Sequence, residues 1–190
     1  LNQRIDILLI GVFWDASQVG IYSVAATIAR GFLLITQAIQ KVTAPLLVTL
    51  IKNNDFVRIR RIMSVTVKWN VIFFLVIGWS MMFLIQPILT LLYPASPDFI
   101  LARLPFYFLI PGIVIYASIA GIGSAPSTSI GKPENSIRII GLMLMVNIIC
   151  NLIFIPYYKG IGAALSTSIS LVIGVIYFFK LTKKYYAFSF

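Results

Sequence analysis

The sequence predicts an all-α, polytopic transmembrane bundle of about six helices, one of them partial, and three observations predict it. Sixty per cent of the residues are hydrophobic and 11% are charged, against roughly 45–50% and 25% in soluble domains. Mean hydropathy is +1.00. The apolar residues also fall into runs of about 20, the length that crosses the hydrocarbon of a bilayer. A chain of 190 residues cannot cover so much apolar surface with its own core, because a small domain keeps a large ratio of surface to volume. Lipid must cover the rest.

The runs can be taken in order. Segment A, residues 1–14, is shorter than a span, and its abrupt apolar start predicts that the beginning of this helix is missing. No basic region followed by a small-residue cleavage site marks a signal peptide. Segment B, residues 20–51, is longer than a span needs. Segments C (69–93), D (104–125), E (139–158) and F (160–179) contain no charged residue. Pro87 and Pro111 lie inside C and D, and such breaks are common in transporters and tolerated in ordinary membrane helices. The small residues Gly162, Ser166, Ser170 and Gly174 recur every fourth position of F, a stripe suited to close helix packing.

The connections fix an orientation. The B–C connection carries Lys52, Arg58, Arg60, Arg61 and Lys68, the D–E connection Lys132 and Arg138, and the tail Lys180, Lys183 and Lys184. The alternate connections hold only Arg103 and Lys159. Cytoplasmic connections concentrate Lys and Arg, so the basic connections and the C-terminus are expected on the cytoplasmic side of a cell membrane. In the B–C connection Phe56, Ile59 and Met63 recur at helical spacing among the arginines, with Asn54 or Asp55 available as a cap. This predicts a short basic amphipathic helix on the anionic inner leaflet, with a solvated charge run as the alternative.

Several function classes are disfavoured. A net charge of +10 would point to nucleic acid in a soluble protein, but here the charges sit mainly between apolar runs, and no nucleic-acid partner is expected. There is no His, and Cys150 stands alone. Phosphate-binding Gly loops, zinc-ligand spacings and Ser nucleophile elbows are absent. The five acids are scattered and the outer connections are short, so an enzyme, a cofactor and a metal site are not expected.

Charges inside a bilayer are costly and mark function or pairing. Arg4, Asp6, Arg30 and Lys41 are the four candidates. Counted from the outer ends of A and B at 1.5 Å per residue, Asp6 and Arg30 lie at similar depth, which predicts an ion pair. Ser23, Arg30, Gln37 and Lys41 fall within roughly 40° of one another on a helix, a polar stripe facing a bundle interior or an aqueous cavity. Lys41 can also snorkel to the cytoplasmic interface. Asn147 and Asn151 share a face of E, lining a cavity or bonding to neighbouring helices.

The opening NQRIDILLIG with QVGIYSVAATIA resembles the seventh and eighth helices of the O-antigen and polysaccharide flippases, members of the multidrug/oligosaccharidyl-lipid/polysaccharide exporter superfamily. The matching positions are Asp6, Val19, Gly20, Tyr22 and Ala25. NLIFIPYYKGIGAALSTSIS resembles the family's later pattern through Asn151, Ile155, Pro156, Gly160, Gly162, Ala163, Ala164 and Thr167, and IGKPENS resembles the turn after the tenth helix. The resemblance implies two six-helix lobes around a cationic cavity, with residues 1–190 as the C-terminal lobe and an N-terminal lobe as its missing partner. It also implies alternating access and a lipid-linked oligosaccharide, carried on undecaprenyl diphosphate, as substrate. Arg4, Asp6, Arg30, Gln37, Lys41, Asn147 and Asn151 are then the cavity candidates. A cation-coupled multidrug or metabolite exporter of the same superfamily would want more acidic cavity residues than Asp6. A membrane glycosyltransferase would want longer loops, and a non-catalytic scaffold gains nothing from a buried Arg.

Overall fold

A computed structural model describes the backbone of residues 2–129 and 133–186 and the side chains of 5–55, 57–120 and 134–181. Five α-helices follow one another: α1 (Asn2–Phe13), α2 (Ala16–Lys52), α3 (Phe56–Leu92), α4 (Arg103–Ser129) and α5 (Pro133–Tyr186), with a 3-10 turn at Pro97–Ala102 before α4. No strand occurs among the described residues. Four of these helices are long and apolar enough to cross a membrane. The fifth rod comes from α5, which breaks at Lys159, where φ is 52° and ψ is −133°. Its arms, 133–158 and 160–186, correspond to segments E and F and fold back on each other with almost no loop.

Short signals set the ends. The Asp15 side chain accepts a hydrogen bond from the Gln18 N–H at 3.0 Å and starts α2. Asp55 does the same for α3, accepting from the Arg58 N–H at 3.1 Å. At the break in α5 an unbroken helix would have supplied the Ile155 carbonyl with the Lys159 N–H. The indole Nε1–H of Trp14 donates to that carbonyl instead, at 2.9 Å.

Helix α4 is the hub, packed against α2, α3 and α5. Ala25, Ala29, Phe106, Ile110, Ala117 and Ala164 are among the buried residues of the main core. The small-residue stripe of F sets the close approaches. A methyl group on Gly162 would lie 2.4 Å from the Phe154 carbonyl oxygen across the α5 break, and one on Gly174 would lie 2.4 Å from Met143 Sδ.

One element departs from its sequence reading. The basic segment after Lys52 is not a separate helix lying on the leaflet. It is the first third of α3, which runs 37 residues without interruption. Nothing between Arg61 and Trp69 breaks a helix, and Ile59 and Met63 are buried against Leu47 and Leu50 of α2 in a small core of their own. Helices of 37 residues are about 55 Å long, well beyond about 30 Å of hydrocarbon. The α2–α3 hairpin therefore projects past the bilayer, with Lys52, Arg58, Arg60, Arg61 and Lys68 exposed around its end.

Candidate functional site

Two polar features stand inside the apolar bundle. The first centres on Asp6, which is 1% exposed. Its Oδ2 accepts hydrogen bonds from the Tyr22 hydroxyl at 2.8 Å and the Thr167 hydroxyl at 2.7 Å. Its Oδ1 accepts from the Asn151 amide at 2.6 Å. The same Asn151 amide donates to Asn147 Oδ1 at 3.1 Å, and Asn147 donates to Thr167 Oγ1 at 3.2 Å. Tyr22, Asn147, Asn151 and Thr167 are all buried. The cluster ties α1 to α2 and to both arms of α5, so one carboxylate locks four rods together. An ionisable group in apolar surroundings persists where its lone pairs are met, and here three donors meet them. The donor set is one carboxylate with amide and hydroxyl oxygens, and Asn151 Oδ1 is buried with no partner. Oxygen-only sets of this kind suit a hard cation rather than zinc or copper. No group of three or more His, Cys, Asp or Glu gathers among the described residues.

The expected Asp6–Arg30 ion pair is not formed. Among the described residues, Arg58 pairs with Asp55 and Arg138 with Glu134, and no such contact joins Asp6 to Arg30. Equal depth put Asp6 and Arg30 at one level, but Asp6 turns toward the α5 hairpin and is closed by uncharged donors. Tyr22 and Thr167, the two hydroxyls that complete its shell, were not singled out as site residues. Both stand at positions matching the polysaccharide-flippase pattern, Tyr22 among apolar residues and Thr167 among Ser166, Ser168 and Ser170.

The second feature is Arg30 itself. It is half-buried on α2, and its Nε and Nη2 are buried without a hydrogen-bond partner. Farther along the helix Gln37 and Lys41 are exposed. The stripe thus begins at half-buried Ser23 and Arg30 and runs out along the surface of the lobe, away from Ala25, Ala29 and Phe32 on the buried face. The side chain of Arg4 lies outside the described residues. Asp6, Asn147 and Asn151 are brought together, whereas Arg30, Gln37 and Lys41 form a separate line on α2.

The sequence matches a family model described as polysaccharide biosynthesis protein over residues 1–96. It is 28% identical over 179 residues to a Haloferax volcanii protein named probable flippase AglR, covering 90% of this chain and 36% of that protein. In three dimensions it resembles the lipid II flippase MurJ in an inward closed conformation, with a TM-score of 0.78 at 22% identity, covering 96% of this chain and 39% of the other. The chain spans little more than a third of the length of these relatives. The likeness to MurJ identifies the fold, a helical lobe of a multi-pass membrane protein. With half of its length matched by the family model, the chain belongs to the polysaccharide biosynthesis protein family.

Proposed function

We propose that this chain is the C-terminal lobe of a flippase that moves a lipid-linked oligosaccharide, carried on undecaprenyl diphosphate, across the cytoplasmic membrane by alternating access. The observation that carries the reading is Arg30. A half-buried guanidinium within a membrane span, paired with no acidic side chain among the described residues, is costly unless an anion completes it. A diphosphate does so well, because the planar fork holds two phosphate oxygens at once. Gln37 and Lys41 extend the polar line toward the basic end, where the head group of a cytoplasmic-leaflet lipid would arrive. Arg4 would add a further cation from α1, and the N-terminal lobe would close the cavity opposite α2. Asp6, Asn147 and Asn151 serve this site indirectly, by holding α1 and α5 against α2. The relatives named as flippases support this reading over catalysis.

The orientation follows from charge. The α2–α3 hairpin, the connection around Lys132 and Arg138, and the C-terminus face the cytoplasm and its anionic leaflet. Reporter fusions test this: one at Ser96 is expected to report from outside and one at Phe190 from the cytoplasm. The reverse result at either position overturns the orientation. Function is tested in cells lacking the full-length protein. These are expected to accumulate lipid-linked glycan on the cytoplasmic side, and unchanged export of glycan refutes the flippase reading.

A further inference from the structure

The end of the bundle opposite the basic connections holds a cleft that the transport reading does not use. It lies between the start of α2, the 3-10 turn with the start of α4, and the break in α5, and its volume is about 140 Å³. Ile21, Leu104 and Pro105 supply apolar wall, and Gln18, Tyr158 and Lys159 supply polar groups. Leu104 is 40% exposed and Tyr158 57%, so the cleft opens at the bundle surface, where lipid and its head groups meet the protein.

Lys159 singles this cleft out. It is one of two cations in the connections at this end, where a positive charge opposes the bias that orients membrane proteins. The other, Arg103, is already engaged, its Nη1 donating to Gln86 Oε1 at 2.9 Å. Lys159 also occupies a backbone conformation with φ of 52°, which glycine adopts more readily and other residues only at a cost. A glycine would make the turn with less strain and no charge. The Lys159 ammonium rests over the Trp14 ring, 4.4 Å from its centroid. No hydrogen bond or ion pair of this side chain occurs among the described residues, so its three N–H donors are open to a ligand.

A cation and an amide beside the apolar wall of one cleft match a phosphate joined to a hydrocarbon chain. We propose that the cleft binds the head–tail junction of a single-chain isoprenoid lipid phosphate in the outer leaflet. The phosphate meets Lys159 and Gln18, and the first branched units lie along Ile21, Leu104 and Pro105. A cleft of about 140 Å³ has room for the first units of one branched chain, and a single-chain lipid presents one such chain at its head–tail junction. The inference rests on the orientation and substrate class proposed above, and it deepens them by giving the carrier lipid a site after it has crossed.

Photolabelling tests it, using the full-length protein in nanodiscs and a farnesyl phosphate with a diazirine in its tail. Labelling is expected on the peptide containing Leu104 and Pro105, and unlabelled farnesyl phosphate should compete for it. Farnesol, inorganic phosphate and dioleoylphosphatidylglycerol are each expected to compete at least tenfold more weakly. Lys159→Gln should reduce labelling about tenfold, and Leu104→Trp, which fills the cleft from an exposed position, should do the same. Equal competition by farnesol or by the phospholipid, labelling elsewhere, or full labelling of both variants overturns the proposal. Arg30→Gln separates the two readings: it should abolish transport and leave this labelling intact. Loss of labelling in Arg30→Gln would mean that the probe reports the transport cavity rather than the cleft, and would also overturn it.

Discussion

Replacing Asp6 by Ala is expected to destabilise the lobe by about 2–5 kcal/mol, from three interhelical hydrogen bonds at roughly 0.6 to 1.7 kcal/mol each in a membrane protein. The change strands the Tyr22 and Thr167 hydroxyls and the Asn151 amide in a buried site, and stranded donors cost more than bonds that were never made. Asp6→Asn should be milder. Its carbonyl can take the Oδ2 position and still accept from Tyr22 and Thr167. Its new amide then faces Asn151, whose Oδ1 has no partner and can accept after a flip of that side chain, at the cost of the Asn151 donation to Asn147 Oδ1. Melting midpoints of the purified variants should rank wild type, Asp6→Asn, Asp6→Ala from high to low. Equal midpoints for Asp6→Ala and wild type would remove the cluster from the account of stability. Arg30→Gln, which does not touch the cluster, should leave the midpoint near wild type.

Gly112→Val is expected to be the most damaging packing change, at about 3 kcal/mol or more, the upper end of the overpacking range. A Cβ on Gly112 would lie 2.4 Å from Ser168 Cα and 2.7 Å from its Cβ. Both belong to the α5 main chain or its root and cannot turn aside. The same close approach lets the Ser168 hydroxyl donate to the Phe108 and Leu109 carbonyls of α4, so separating the helices breaks polar contacts as well. Gly174→Ala is the control. Its methyl group meets the Met143 side chain, which is flexible and can repack. The amount of folded protein extracted from membranes should fall sharply for Gly112→Val and little for Gly174→Ala. Equal yields would mean that α4 and α5 are less closely fitted than they stand.

Span positions were the most legible part of the fold, because uninterrupted apolar runs leave few alternatives to a membrane helix. The division of E from F between Tyr158 and Gly160 coincides with the break at Lys159. The length of α3 was not legible. Its amphipathic start looked like a surface helix because Leu47 and Leu50, which cover Ile59 and Met63, sit across a hairpin turn, and periodicity along one segment does not reveal a partner on another. The Asp6 site was half legible. Asp6, Asn147 and Asn151 stood out as polar residues in apolar runs, but depth alone could not say which way Asp6 faced, and so it suggested Arg30. Tyr22 and Thr167 were hidden because a hydroxyl in an apolar run so often bonds its own helix, as Thr36 does with the Phe32 carbonyl. The stripe on α2 was legible as a stripe. In the transporter proposed above, what it faces is the N-terminal lobe, which the sequence of residues 1–190 does not describe.

Arg30 gives the most direct measurement of the central claim, that this face of α2 meets an anionic lipid-linked glycan. The full-length protein carrying Arg30→Lys, Arg30→Gln or Lys41→Gln is placed in cells that depend on it, and glycan export is measured at matched protein level. Arg30→Lys keeps the charge but loses the two-oxygen grip, and Arg30→Gln loses both. If a diphosphate sits on the fork, export should fall at least tenfold in Arg30→Lys and further in Arg30→Gln. That corresponds to about 1.4 kcal/mol or more of lost binding, the scale of one charge-assisted hydrogen bond. Lys41→Gln, at the exposed end of the stripe, should reduce export by less. Normal export from all three variants at wild-type protein levels would contradict the account and leave Arg30 as a packing residue on α2.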